Sequence, residues 1–107
     1  MAHAYAARTA AGSSVLAAAV AGVRHHVIRG VIGVTVGAAG TVALDDGTDD
    51  LVGPFDIAAV KEIEFDLSDP DGGGLTGAAA GAVNRPLNLT TSGTGDANVS
   101  LIYRSVG

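Results

Sequence analysis

Clusters of turn-forming residues recur about every ten residues from position 24 onward, and this rhythm restricts the fold more than any other feature. Asp45-Asp46-Gly47-Thr48-Asp49-Asp50, Gly53-Pro54, Ser68-Asp69-Pro70-Asp71-Gly72-Gly73-Gly74 and Ser92-Gly93-Thr94-Gly95-Asp96 can each reverse the chain. Asp hydrogen-bonds to nearby backbone, Pro fixes φ, and Gly accepts positive φ. Between the clusters lie short runs with strand character. In Ile63-Glu64-Phe65-Asp66-Leu67 apolar and acidic residues alternate strictly, which gives one buried and one wetted face, and Glu62 extends the wetted one. Residues 27–36 carry branched side chains on both alternating sets, Val27 and Val31 on one and Ile28, Ile32 and Val34 on the other, as in a strand covered on both faces. Gly30, Gly33 and Gly37 would interrupt a helix there and in a strand mark bends or close backbone approach. Further strands are predicted at 41–44, 55–60, 87–91 and 99–103. The pattern is that of an all-β sandwich or barrel.

The first 23 residues admit two readings. Ser13 or Ser14 could cap a short helix over 15–21 that ends at Gly22. Val15, Ala17 and Ala19 could equally form the core side of a strand. Residues 1–11, rich in small side chains, read as an extended arm that orders only against a neighbour, which leaves 12–107 as the folded domain.

The core must be built from small and branched side chains. Thirteen Val, eight Leu, five Ile and two Phe are joined by 20 Ala, and Trp is absent. At 107 residues one compact domain is expected. A net charge of -5, with the six basic residues Arg8, Arg24, Arg29, Lys61, Arg85 and Arg104 dispersed, argues against nucleic-acid or anionic-membrane binding, which needs clustered cations. No cysteine is present, so there is neither a disulfide framework nor thiolate chemistry. The longest apolar stretch, residues 15–23, is under half the length that crosses a bilayer, and no basic segment precedes it as in a signal peptide; a soluble chain is expected.

Each candidate for chemistry has a plainer structural reading. Four carboxylates within Asp45-Asp46-Gly47-Thr48-Asp49-Asp50 could serve a hard cation, but the spacing of a calcium loop, closed by a Glu at position twelve, is missing, and a solvated turn is expected. His25 and His26 are adjacent, so on a strand they point to opposite faces, and no histidine follows them, which excludes a cupin-type metal site. A ring of histidines from three copies about a symmetry axis stays open. No serine lies in a Gly-x-Ser-x-Gly elbow. Glu62 and Glu64 share a strand face that is expected to be wet, a poor place for a raised pKa. Gly72-Gly73-Gly74 is followed by no Lys-Ser or Lys-Thr, so it is not a phosphate loop. Asn88-Leu89-Thr90 and Asn98-Val99-Ser100 match the glycosylation sequon. No catalytic residue, metal ligand or cofactor is assigned. The chain is expected not to be an enzyme.

Thr41-Val42-Ala43-Leu44, Leu51-Val52-Gly53-Pro54-Phe55, residues 63–67, Gly74-Leu75-Thr76, Pro86-Leu87-Asn88-Leu89-Thr90-Thr91-Ser92-Gly93 and Val99-Ser100-Leu101-Ile102-Tyr103-Arg104 together resemble small jelly-roll proteins of tailed bacteriophages and gene transfer agents. Leu16-Ala17-Ala18-Ala19-Val20-Ala21-Gly22 before the strand at Val27 fits the same layout, and the resemblance spans residues 13–104. It implies a jelly-roll-like antiparallel β-sandwich with an extended N-terminal arm, in which residues 15–21 enter the roll as a strand. The implied role is that of a capsid decoration or cement protein, a homotrimer attached to the major capsid protein or other virion proteins on the head surface and assembled in the bacterial host cytoplasm. The alternative it implies is the base of a head spike or fibre with a carbohydrate-binding role in host attachment. On this reading attachment falls to Ala4, Tyr5, Ala6, Ala7 and Arg8 in the arm, where Tyr5 is the one large anchor, worth about 2 kcal/mol if buried. Self-association falls to Val27, Arg29 and Val31.

Overall fold

The computed structural model describes residues 2–67, 79–80, 82–93 and 95–107. The run from Ser68 to Gly74 lies outside the described residues. Among the described residues nine strands follow in order: β1 (Ala2–Arg8), β2 (Gly12–Ala17), β3 (Arg24–Val36), β4 (Thr41–Asp45), β5 (Asp50–Asp56), β6 (Lys61–Asp66), the two-residue β7 (Ala79–Ala80), β8 (Leu87–Thr91) and β9 (Asp96–Val106). The described residues contain no helix, and so none long and apolar enough to cross a membrane.

The strands form two antiparallel sheets packed face to face. One has the order β1-β9-β3-β6, with β7 also paired to β3, and the other the order β2-β8-β4-β5. The pairings are nested: β1 with β9, β2 with β8, β3 with β6 and β4 with β5. A long hairpin rolled onto itself produces this nesting, and it is the topology of a jelly roll. The inward side chains of both sheets form one core, from Val27, Ile32, Val34, Val99 and Leu101 of the first and Val42, Leu44, Val52, Leu87 and Leu89 of the second, joined by Ile57 from the segment after β5. Ala6 and Ala17 complete it where the small side chain lets β1 and β2 approach.

Local sequence explains most of these elements. In β6, Ile63 and Phe65 are half-buried against the core while Glu62, Glu64 and Asp66 stay exposed, as strict alternation requires, and Lys61 is exposed at the strand's start. Gly30 sits opposite Leu101, and a Cβ there would lie 2.5 Å from the Ser100 carbonyl oxygen and 2.7 Å from the Leu101 Cβ. Only glycine allows β3 to lie this close to β9. Gly93, at φ 87°, closes the loop before β9 against the Ala39 carbonyl, where a Cβ would lie at 1.9 Å.

Several expectations are corrected. Residues 2–8 are no free arm: β1 pairs in register with β9 from Ala2↔Tyr103 to Arg8↔Ala97, so the stretch belongs to the sandwich. Small side chains with one apolar parity, Ala4 and Ala6, suit an edge strand as well as they suit an arm. The segment after Ser13 is a strand and not a helix, but of Val15, Ala17 and Ala19 only Ala17 is buried, Val15 being 63% exposed and Ala19 exposed, while Leu16 packs against the core in part. A register shift between Val15 and Ala17 breaks the alternation. In β3 a shift between Val27 and Arg29 places Val27 and Ile28 both in buried positions. Gly53-Pro54 lies within β5, and this strand ends at Asp56 instead of spanning 55–60. Because β5 is an edge strand, proline costs it little ladder bonding.

Candidate functional site

The outer face of the first sheet carries a hollow of about 470 Å³. Strand register builds it. His3 pairs with Ile102, Ile102 with Arg29 and Arg29 with Asp66, and the next row runs Tyr5, Ser100, Val31 and Glu64. Val31 and Ile102 give the lining an apolar part, and Arg29, with its register partner Asp66 and the neighbouring Glu64, a charged one. Arg29 and Val31, expected at a self-association surface, therefore stand together on an open face. Val27 does not join them: it is fully buried in the core, because the shift after Val27 sends it inward.

The residues expected to attach to a capsid separate in the same way. Ala6 is buried and Ala4 packs against the core. Arg8 is held within the chain, its guanidinium donating to the Ala10, Ala11 and Ser13 carbonyls and to Ser14 Oγ at 3.1–3.4 Å. Ala7 is exposed, and Tyr5, 66% exposed, remains the one large side chain of β1 open to a partner.

Two Ser–His pairs, legible only once the strands are paired, join residues far apart in sequence. His3 Nε2 and Ser100 Oγ share a hydrogen bond of 2.8 Å at the rim of the first hollow. Among the described residues Ser100 is the only side chain that holds the His3 ring, so nothing orients it as a general base needs. His25, buried, touches the Ala18 carbonyl through Nε2 at 2.9 Å and Ser105 Oγ through Nδ1 at 2.8 Å, and its ring meets Tyr103 edge-on. A carbonyl only accepts, so Nε2 carries the proton and, in the neutral ring, Nδ1 accepts from the serine hydroxyl. His25 thus pins the β2–β3 connection to β9 and cannot contribute to a histidine ring between copies. His26 Nδ1 is buried without a partner among the described residues, and burial together with the nearby Arg24 lowers its pKa.

The acidic turn is more ordered than a solvated one. Asp46 is buried, its Oδ1 accepts from the Asp49 and Thr48 amides at 2.7 and 3.0 Å, and its Oδ2 accepts from the Ala82 amide at 3.2 Å. These bonds, led by that from Asp49 and assisted by the Arg85 charge, outweigh burial and hold its pKa below the usual carboxylate value. A folded-state pKa below the unfolded one means that Asp46 stabilises the fold at neutral pH, and that this contribution fades as pH falls through the carboxylate range, below about 4. Asp46→Asn is expected to lower stability at pH 7 by about 1–3 kcal/mol and to flatten the acid limb of stability against pH. Urea unfolding from pH 7 down to pH 3 checks this; an unchanged acid limb would contradict it.

Beside this turn, on the outer face of the second sheet, lies a smaller polar hollow of about 310 Å³ that includes Ser13, Asp45, Thr48, Asp50, Asn88 and Thr90. Asn88 is buried there, so the Asn88-Leu89-Thr90 sequon is closed to glycan attachment. Glu62 and Glu64 are exposed, as expected. Among the described residues no three His, Cys, Asp or Glu side chains converge as a metal cluster. The chain matches no protein-family model and no curated protein.

Proposed function

We propose that this protein is a virion structural component: a decoration or cement protein that forms trimers and attaches to the head surface of a phage-like particle through contacts with the major capsid protein. The observation that carries the proposal is the nested strand order β1-β9-β3-β6 over β2-β8-β4-β5 in a small sandwich. Jelly rolls of this kind recur as rigid building blocks of viral shells, although the same fold serves lectins and cupins too. The resemblance of residues 13–104 to phage jelly-roll proteins adds to it. Among the described residues β1, β6, β2 and β5 end the two strand orders, and association of copies covers such edges. Weak contacts repeated by symmetry then sum to firm attachment.

The outer face of the first sheet serves self-association, with Val31 and Ile102 as apolar contact and Arg29 as a charged margin. Tyr5 and Ala7 on β1 serve attachment. Light scattering of the purified protein is expected to give three chains of 10.4 kDa per particle. Val31→Asp places a charge on the apolar part of the lining and is expected to yield single chains with little change in thermal midpoint, because Val31 lies outside the core. A wild-type protein that is a single chain at all concentrations would contradict the trimer, and a trimer untouched by Val31→Asp would move the contact elsewhere.

A further inference from the structure

Two residues that line the polar hollow on the second sheet each bury an oxygen that no described residue satisfies. Asp45 Oδ1 accepts from the Gly47 amide at 2.8 Å and from Asn88 Nδ2 at 3.3 Å, which leaves Asp45 Oδ2 without a partner. Asn88 turns its amino group toward Asp45, so its unpartnered atom is the carbonyl oxygen Oδ1. Both residues are 8% exposed, and they face each other as register partners on β4 and β8. Two acceptors closed off from water in this way are destabilising unless a donor or a cation meets them.

The surroundings favour a cation. Asp50 is the register partner of Asp45 on β5, and its exposed carboxylate stands on the same hollow. Ser13 Oγ and Thr90 Oγ1, bonded to each other at 2.6 Å, add hydroxyl oxygens. The side-chain donor set is carboxylate, amide carbonyl and hydroxyl, with neither imidazole nor thiolate, which suits a hard ion of flexible coordination. Arg85 donates to Thr48 Oγ1 and acts on Asp46, and Arg8 donates to the Ser13 carbonyl, while Asp45 and Asp50 give the hollow two carboxylates. We propose that this hollow binds a calcium ion through Asp45 and Asn88, with Asp50 at its mouth. The ion would tie the β4–β5 turn to β8. The proposal does not depend on a place in a virion.

The full chain, stripped with a chelator and titrated with calcium chloride, tests it. Calorimetry is expected to show one saturable site, and the thermal midpoint is expected to rise with calcium and level off. Asp45→Asn should abolish the rise. Because Asp45 also holds the turn, Asp50→Asn, an exposed change that leaves every described hydrogen bond in place, serves as the second variant and should weaken calcium at least tenfold. The absence of heat and of a midpoint change at about 10 mM calcium, well above the weakest calcium modules, would overturn the proposal and assign the two oxygens to a water. An equal rise with magnesium or potassium would also overturn it, as screening of a chain of charge -5, and so would an undiminished rise in both variants.

Discussion

Deletion of residues 1–11 is expected to cost about 2–4 kcal/mol, a large part of the 5–15 kcal/mol that holds a domain of this size together. A free arm could be removed at no cost. Strand β1 cannot, because it pairs with β9 over seven residues and sets Ala6 into the core. Its loss would bare the edge of β9 and leave Val99 and Leu101, now at 0% and 1% exposure, with one side uncovered. A buried Val or Leu side chain is worth about 1.5–3 kcal/mol, so partial exposure of two, with the loss of the Ala6 contact, accounts for that figure. The peptide groups of β9 return to water and add little of their own. Chemical unfolding of the truncated chain beside the full one measures the difference. An unchanged midpoint would show that residues 2–8 do not belong to the sandwich.

The second large effect is expected at Leu44. This residue is fully buried at the centre of β4, between its neighbours β5 and β8, where the two sheets face each other. Leu44→Ala removes three carbons and leaves a void that a closely packed interior fills only in part, for a loss of about 3–4 kcal/mol. Val15→Ala is the informative control. Both are branched residues within strands, but Val15 stands 63% exposed, so a loss below about 0.5 kcal/mol is expected. If the two variants lose equal stability, the register shift in β2 and the inward orientation of β4 are both wrong.

That contrast shows where the sequence can be read directly and where it cannot. Residues 63–67 and 87–91 follow alternation or a short apolar run between turns, and strands stand there, at Lys61–Asp66 and Leu87–Thr91, the first shifted by one or two residues at its ends. At Val15 and Val27 the alternation is interrupted by register shifts, which depend on how a strand meets its partner and leave no mark in local composition. Val27, on a contact surface by simple alternation, for this reason lies in the core. Residues 2–8 misled through their small side chains: alanine at Ala4 and Ala6 permits close packing yet supplies too little apolar bulk to announce a strand. Pro54 signals a turn locally but is tolerated on an edge strand, and edge position is a property of topology.

The site residues divide along the same line. Arg29 and Val31 could be selected as outward residues of an apolar strand, and the open face beside them agrees with that. The acidic run 45–50 was legible as a turn, but not the separation of roles within it, since Asp46 is satisfied by backbone amides and Asp45 has one oxygen bare. The partner that reveals this, Asn88, lies 43 residues away and is joined to Asp45 only by the pairing of β4 and β8. The same distance effect hid His3 beside Ser100 and His25 beside Ser105, since β9 closes the roll against strands from the beginning of the chain.

The proposal of a shell component is tested most directly by adding the purified protein to phage-like heads from its own source that lack it, and counting bound copies at saturation by quantitative mass spectrometry. Saturation at a fixed number of copies per head, divisible by three and reduced when Tyr5 is replaced by Ala, is the predicted result. Heads that take up no protein at any concentration would contradict it.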